Sequence, residues 1–121
     1  MKITAIDCLN IDDRGYVAEY AHERKGKHLL VFSKSGSVRG RHYHKGISAT
    51  KNPEVLVLLT GSIKLNWKKI GVAQISTIQV NAPAQLEIPS MTWHELIAET
   101  DCSFIEQNSI EEHAADTFYD A

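Results

Sequence analysis

Apolar and polar residues alternate in short runs along most of this chain. Residues 63–68 alternate at every position, which is the two-residue period of a strand with one buried face. Residues 54–60 are almost continuously apolar, as expected for a strand that is covered on both faces. Comparable runs recur at roughly 8–12-residue spacing. The predicted strands are residues 2–9, 16–21, 28–33, 38–44, 54–60, 63–68, 74–80, 85–88, 93–98 and 102–107.

Turn-forming residues separate these runs. Aspartate and glycine in residues 12–15, and glycine in residues 35–37 and 61–62, mark three of the turns. Only residues 110–116 show a pattern that suits a helical turn, and no segment keeps a 3.6-residue period long enough for a helical bundle. Many short strands without an intervening linker predict a single all-β domain over residues 1–121, built as a barrel or a sandwich.

The composition is that of an ordinary globular protein. The chain has 121 residues, 43% of them hydrophobic, and a net charge of −2 from 13 basic and 15 acidic residues. This charge balance gives no strong electrostatic attraction to nucleic acid or to an anionic membrane. No apolar stretch is long enough for a signal peptide or a membrane helix, and Cys8 and Cys102 are predicted to be free thiols. We therefore expect a cytoplasmic protein that binds neither nucleic acid nor membranes.

His42 and His44 form a histidine pair on one predicted strand. Side chains two positions apart on a strand point the same way, so both imidazoles should face one pocket. Neighbouring imidazoles can chelate a metal or exchange a proton with a substrate, although an isolated pair of this kind also occurs among ordinary core or surface histidines. For two other residues the structural interpretation is stronger: we expect His113, in the acidic tail, to be solvated and Trp67 to pack in the core.

The spacing around this pair indicates a functional site. The elements are Gly36 six positions before His42, Glu54 seven positions before Gly61, and Pro89 five positions before His94. They resemble the two cupin motifs, although residues 45–53, between His44 and Glu54, form a longer spacer than the motif has. The resemblance implies a double-stranded β-helix (a jelly-roll barrel) with N-terminal strands at about 1–33, motifs at 36–94 and a C-terminal strand and tail at 102–121. The metal ligands that it implies are His42, His44, Glu54 and His94.

Further strings narrow the resemblance to cupins that act on sugar nucleotides. Residues 12–15 are similar to the opening of the deoxysugar-nucleotide 3,5-epimerases. Residues 39–45 resemble both these epimerases and the dTDP-4-keto-6-deoxyglucose 3,4-ketoisomerases, and residues 93–95 resemble the ketoisomerases. Residues 51–54 and 116–119 are similar to the cupin domain of capsular-polysaccharide reductase/epimerases. All three relatives handle keto-sugar nucleotides.

This resemblance implies an isomerase or epimerase that acts on a nucleotide-activated 4-keto-6-deoxysugar in surface polysaccharide biosynthesis. His42 is then the expected base, and His44 or Tyr43 is the second proton donor. The arginines expected to bind the substrate are Arg14, Arg39 and Arg41. The expected partners are the nucleotide sugar and a second copy of the chain, because small cupins pair through sheet edges or exchanged strands.

Two questions stay open at this point. The capsular relatives imply a bound divalent ion, zinc or another transition metal, whereas the ketoisomerases and epimerases imply acid/base chemistry without one, and we lean slightly towards the metal. Three classes of function also remain open, since the cupin fold hosts many activities. They are the isomerase or epimerase, a non-catalytic module that binds a sugar or a metal, and a metal-dependent cupin oxygenase.

Overall fold

The computed structural model describes residues 1–120 and is almost entirely β-structure, as the alternating pattern predicts. Its strands, in chain order, are β1 (Lys2–Ala5), β2 (Cys8–Asp12), β3 (Gly15–Ala18), β4 (Leu29–Ser33), β5 (Val38–His42), β6 (Glu54–Thr60), β7 (Ser62–Lys69), β8 (Ser76–Asn81), β9 (Ala84–Ile88), β10 (Thr92–Ala98) and β11 (Cys102–Glu106). One short helix, α1 (Ile110–Ala115), follows them. No helix within residues 1–120 is long and apolar enough to span a membrane.

Two antiparallel sheets form the body of the protein. One has five strands in the order β1-β9-β6-β11-β4, and the other has four in the order β5-β10-β7-β8, while β2 and β3 form a separate hairpin. Side chains from both sheets meet in one buried apolar cluster, so the sheets pack face to face. This is the cupin-type double-stranded β-helix that the motif spacing implied.

The alternation along β10 shows how the core and the site share one face of a sheet. Every second residue of this strand is buried, so that His94 lies on the same inward face as Leu96 and Ala98. Trp67 on the paired strand β7 packs against the same core, as predicted. The sheet interior is therefore apolar at one end of β10 and carries a histidine towards the other.

Several predicted boundaries differ from the observed ones, and one of these differences lies beside the site. The strand predicted over residues 38–44 ends at His42, and Gly40 and Arg41 both adopt positive φ, at 93° and 61°. A side chain at residue 40 would place its Cβ 2.8 Å from the His94 carbonyl oxygen, so only glycine permits this close approach of β5 to β10. The strand predicted over residues 2–9 is also split, into β1 and β2.

Candidate functional site

Three of the predicted site histidines come together inside the barrel. The ring centroids of His42 and His44 are 4.9 Å apart, those of His42 and His94 are 5.0 Å apart, and those of His44 and His94 are 5.4 Å apart. His42 is only partly buried, whereas His44 and His94 are buried, so His42 is the most accessible of the three. Cross-strand pairing of His42 with His94 and the two-residue spacing of His42 and His44 produce this cluster.

Backbone carbonyls fix the orientation of the two buried rings. Nδ1 of His44 donates to the carbonyl oxygen of Asp116 over 2.6 Å, and Nδ1 of His94 donates to that of Thr92 over 3.0 Å. Because a carbonyl only accepts, each Nδ1 must carry the hydrogen, which leaves Nε2 as the atom directed at Glu54. The same arrangement orients histidines that bind metals or transfer protons.

Glu54 lies next to these rings in a fully buried position. Its Oε2 contacts Nε2 of His44 and lies 3.1 Å from Nζ of Lys51, and its Oε1 lies 3.9 Å from Nε2 of His94. Burial by itself would raise the pKa of Glu54, but His44, His94 and Lys51 outweigh it and hold the pKa below its ordinary value. Glu54 therefore joins the site as a carboxylate, despite the long spacer that precedes it.

Burial and mutual proximity keep His42 and His94 neutral. Burial, and then the neighbouring His94 and His44, lowers the pKa of His42 to about 3. Burial also lowers the pKa of His94, against the opposing charge of Glu54. At neutral pH these imidazoles present lone pairs, so they can accept a proton or bind a metal ion.

His113 is a site residue that sequence reasoning missed, and the prediction that it is solvated is wrong. Its ring centroid lies 5.3 Å from that of His42 and 5.6 Å from that of His44. Its Nδ1 accepts a hydrogen bond from Nζ of Lys51 over 3.0 Å, and burial, followed by the charge of Lys51, lowers the pKa of His113 to about 4. No local spacing signals this position, because α1 reaches the pocket only through the tertiary fold.

Lys51 and Glu106 complete the buried polar set and were also missed. Lys51 has no exposed surface, and its Nζ lies 3.9 Å from Oε2 of Glu106. Burial, and then the charge of Glu54, raises the pKa of Glu106. The string of residues 51–54 carries a family resemblance and contains the predicted ligand Glu54, but it gives no sign that the side chain of Lys51 is also in the pocket.

The tail after α1 closes one side of the pocket. The carboxylate of the fully buried Asp116 accepts three backbone N–H hydrogen bonds, from Lys45 over 2.8 Å and from Gly46 and Ser48 over 3.1 Å each. The same residue supplies the carbonyl that holds His44. Asp116 thus fixes the tail and the loop after His44 through its side chain, and the orientation of a site histidine through its carbonyl.

The structure places Tyr43, the alternative proton donor of the sequence analysis, against the C-terminal tail and not in the histidine cluster. Tyr43 exchanges two backbone hydrogen bonds of 2.9 Å with Phe118, and the two rings are 5.9 Å apart. Because it lies between His42 and His44 in an extended segment, its side chain takes the other face. Its place is the seam between the barrel and the tail.

Of the three predicted arginines, Arg39 borders the pocket together with His42 and His94. Its guanidinium donates to Oγ of Ser33 over 2.6 Å and to the carbonyl oxygen of Phe32 over 2.8 Å, which ties β5 to the end of β4. A guanidinium fixed at the rim in this way can face an anionic group.

The other two arginines lie outside the cluster. Arg41 forms an exposed ion pair with Glu95 at 3.1 Å, beside β10. Arg14 sits at the tip of the β2–β3 hairpin, where it pairs with Asp12 at 2.8 Å and is 84% exposed. The role of Arg14 at the substrate therefore stays a prediction.

The donor set fits a divalent transition metal in part. One ring nitrogen from each of His42, His44 and His94 lies within 4.8 Å of the others, and three neutral imidazoles are common ligands of zinc. Within residues 1–120, the buried Nε2 of His44 makes no hydrogen bond of ordinary geometry, although it contacts Oε2 of Glu54. Glu54, the fourth predicted ligand, adjoins His44 and His94 but is bound to Lys51 and does not converge with all three nitrogens.

Solved structures with a similar fold come from sugar-nucleotide enzymes. QdtA, a sugar 3,4-ketoisomerase from Thermoanaerobacterium thermosaccharolyticum crystallised with TDP, is 20% identical, with a TM-score of 0.72 over 98% of this chain and 87% of that one. The dTDP-6-deoxy-D-glucose-3,5-epimerase RmlC from Legionella pneumophila is 16% identical, with a TM-score of 0.68 over 97% of this chain and 70% of that one. At these identities the likeness establishes the fold.

A third similar structure is the capsular polysaccharide assembling protein CapF from Staphylococcus aureus. It is 21% identical with a TM-score of 0.63, and the match covers 94% of this chain but 34% of CapF. No curated protein sequence matches the chain. Residues 10–118 match the family described as the polysaccharide biosynthesis C-terminal domain. The chain therefore belongs to the polysaccharide biosynthesis C-terminal domain family, and it has a cupin fold.

Proposed function

We propose that this protein is an isomerase or epimerase that acts on a nucleotide-activated 4-keto-6-deoxysugar in surface polysaccharide biosynthesis. The observation that carries the proposal is the cluster of neutral histidines around a buried carboxylate, with His42 the accessible member. The family membership and the enzymes that share the fold support the same reaction class. A pocket without such bases would not suit proton transfer at carbon.

The ketone at carbon 4 of such a sugar acidifies the protons on carbons 3 and 5. In the proposed reaction, His42 accepts one of these protons while the C–H electron pair forms an enediolate. The developing negative charge raises the pKa of His42 as the proton arrives, which offsets the low value in the free pocket. A second donor that protonates the same carbon on its opposite face gives an epimer. After loss of the carbon 3 proton, protonation of carbon 4 together with loss of the O3 hydroxyl proton gives a ketoisomer, so neither reaction needs an oxidant.

The neighbours of His42 support this transfer in distinct ways. The pair formed by His44 and Glu54 can hold a proton on the inner side of the pocket, because Glu54 is an ionised acceptor in contact with Nε2. Arg39 at the rim is the guanidinium best placed to meet an anionic part of the substrate. These roles assign His42 and His44 to catalysis and leave His94 to orient the rings.

A divalent metal in the same pocket is the second candidate, because three histidine nitrogens converge there. His42, His44 and His94 would hold the ion, which would polarise the ketone oxygen as a Lewis acid. In that case His42 would be a ligand and not the base. Loss of activity after treatment with a chelator, with recovery on adding zinc, would select this candidate.

Solvent exchange tests the proposed reaction directly. The protein is incubated in deuterated water with dTDP- and UDP-linked 4-keto-6-deoxysugars, and NMR follows deuterium at carbons 3 and 5. We expect incorporation by the wild type, loss of at least about 100-fold in rate for His42→Gln, and no change for the exposed His22→Gln. Absence of exchange with every keto-sugar nucleotide would reject the enzyme and favour a binding module.

We also propose that two copies of the chain associate and that the protein works in the cytoplasm. The β2–β3 hairpin exposes Leu9, Ile11 and Val17 at 63%, 73% and 58%, and the edge strand β4 exposes Leu30 at 82%. Exposed apolar side chains on a hairpin and an edge strand suit association between copies. Both cysteines are free, as in a reducing compartment. A monomeric mass by light scattering at micromolar concentration would refute the dimer.

A further inference from the structure

Lys51 is a buried cation at the centre of the polar pocket. Its side chain has no exposed surface, and its ammonium lies 3.1 Å from Oε2 of Glu54, 3.0 Å from Nδ1 of His113 and 3.9 Å from Oε2 of Glu106. Two of its three N–H donors are used in the hydrogen bonds to Glu54 and His113, and the carboxylate of Glu106 lies within ion-pair distance. A buried charge that is paired and hydrogen-bonded in this way holds its place in the interior.

The backbone keeps this ammonium from leaving the pocket. Residues 51–54 form a tight turn in which Lys51 and Glu54 bridge one another, and the N–H of Lys51 donates to the carbonyl oxygen of Ser48 over 3.0 Å. Arg24 donates to the carbonyl oxygens of Thr50 and Pro53 on either side of the turn. The lysine side chain therefore points inward with its turn held at both ends.

The position of Lys51 opposes a second cation in the same pocket. Oε2 of Glu54 contacts both the ammonium and Nε2 of His44, so the negative charge nearest the histidines is already neutralised. A divalent ion on the three histidines would lie close to the ammonium, and like charges a few ångströms apart in a buried site repel strongly. The carboxylate that would complete a four-ligand site is also engaged.

We propose that Lys51 is a positioning residue that keeps divalent metal out of the histidine pocket by holding Glu54 and by its own charge. The pocket is then a proton-transfer site with its own cation, and His42 keeps a free lone pair for the substrate proton. This consequence for the reaction rests on the proposed function, whereas the effect on metal affinity does not. Removal of Lys51 converts the pocket into a site with three histidines and one carboxylate.

Zinc affinity, measured by competition with a chromophoric chelator, tests the proposal without any substrate. We expect the wild type to bind zinc with a Kd weaker than about 1 µM, far from the affinity of a dedicated zinc site. Lys51→Met keeps the length of the side chain and removes its charge, and we expect it to bind zinc at least roughly tenfold more tightly. The exposed Lys64→Met is the matched control and should leave the affinity unchanged.

A double variant keeps the test decisive if Lys51→Met alone does not fold. Lys51→Met/Glu54→Gln replaces the buried ion pair by a neutral pair of similar shape, a change that proteins often tolerate. We expect its zinc affinity to stay within about tenfold of the wild type, because Glu54 is not a ligand there. Cobalt(II) absorption should report a new carboxylate-containing site in Lys51→Met and not in the double variant.

Three results would overturn the proposal. They are nanomolar zinc binding by the wild type, weaker zinc binding by Lys51→Met than by the wild type, and a zinc affinity of the double variant that is about 100-fold or more below that of the wild type. In the activity arm, Lys51→Met loaded with zinc should lose solvent exchange at the sugar. If no keto-sugar nucleotide exchanges even with the wild type, the proposed function fails while the zinc results still decide the role of Lys51.

Discussion

Asp116 makes a prediction that links the stability of the protein to the geometry of its site. Its buried carboxylate accepts N–H hydrogen bonds from Lys45, Gly46 and Ser48, and its carbonyl oxygen accepts the Nδ1 hydrogen of His44. Replacement by alanine removes all three side-chain bonds but keeps the carbonyl. We therefore expect Asp116→Ala to release the tail and, with it, the partner that orients His44.

The magnitude follows from the number and kind of bonds. A hydrogen bond to a charged group contributes about 1.5–3 kcal/mol, and some of the released N–H groups can reach water, so the loss for Asp116→Ala should be about 4 kcal/mol. Asn at this position keeps one acceptor oxygen. With that oxygen at the Oδ2 position it still accepts from Gly46 and Ser48, so Asp116→Asn should cost about 2 kcal/mol.

Urea unfolding of the metal-free protein measures both losses, and Asp120→Asn is the matched control in the same tail. Asp120 forms a surface ion pair with Lys68 at 3.0 Å, which should contribute less than about 1 kcal/mol. Nitrogen NMR of the His44 ring should show that Nδ1 loses its fixed hydrogen in Asp116→Ala only. Equal stability of the Asp116→Ala and Asp120→Asn variants would refute the reasoning, as would an unchanged His44 signal.

Two further predictions concern the loss of stability at acidic pH and the cost of replacing a glycine in a turn. In the folded protein the pKa is about 3 for His42 and about 4 for His113, below the ordinary value of a histidine. Between pH 6.5 and 4 the unfolded chain therefore binds more protons than the folded protein, and the free energy of unfolding decreases as the pH is lowered. The two histidines are partly exposed, and the raised pKa of Glu106 acts in the opposite direction, so the free energy of unfolding should decrease by about 3 kcal/mol over this pH range. Urea titrations measure the decrease, and it should be smaller in His42→Gln. Gly61→Ala should cost more than about 2 kcal/mol, because φ is +83° and its Cβ would meet the Asp101 carbonyl oxygen at 2.3 Å. Gly71→Ala, with φ +87° and open space around it, should cost about 1 kcal/mol, and equal melting temperatures for the two glycine variants would contradict this explanation.

The barrel and its histidines were predictable because their signals are local. Alternation along the strands fixed which face is buried, and it placed His42 and His44 on one side even though β5 ends at His42. His94 follows the same rule on β10. Glu54 was the least regular of the four positions by spacing, yet it starts β6 and is buried, because the loop between β5 and β6 takes up the longer spacer.

The remaining site residues were not predictable from local patterns. His113 lies on a six-residue helix whose capping box, Ser109 with Glu112, says where the helix begins but not what it packs against. Its place beside His42 depends on Asp116 and on the bridge between Tyr43 and Phe118, which join segments about 70 residues apart. Lys51 was not recognised for a related reason, because a lysine in a loop is usually exposed.

The charges of the buried groups provide an argument for how the pocket works. Lys51 and Glu54 form a neutral pair, the lowered pKa values of His42 and His94 keep these two rings neutral, and burial pushes Glu106 towards its neutral acid. The site is thus close to electroneutral as the chain alone forms it, so a divalent ion would add two uncompensated charges to the interior. An enediolate adds one negative charge, which the proton arriving on His42 balances within the same step. The charge balance therefore favours proton transfer by histidine over metal chemistry, and it makes Lys51 the residue whose removal should reverse that preference.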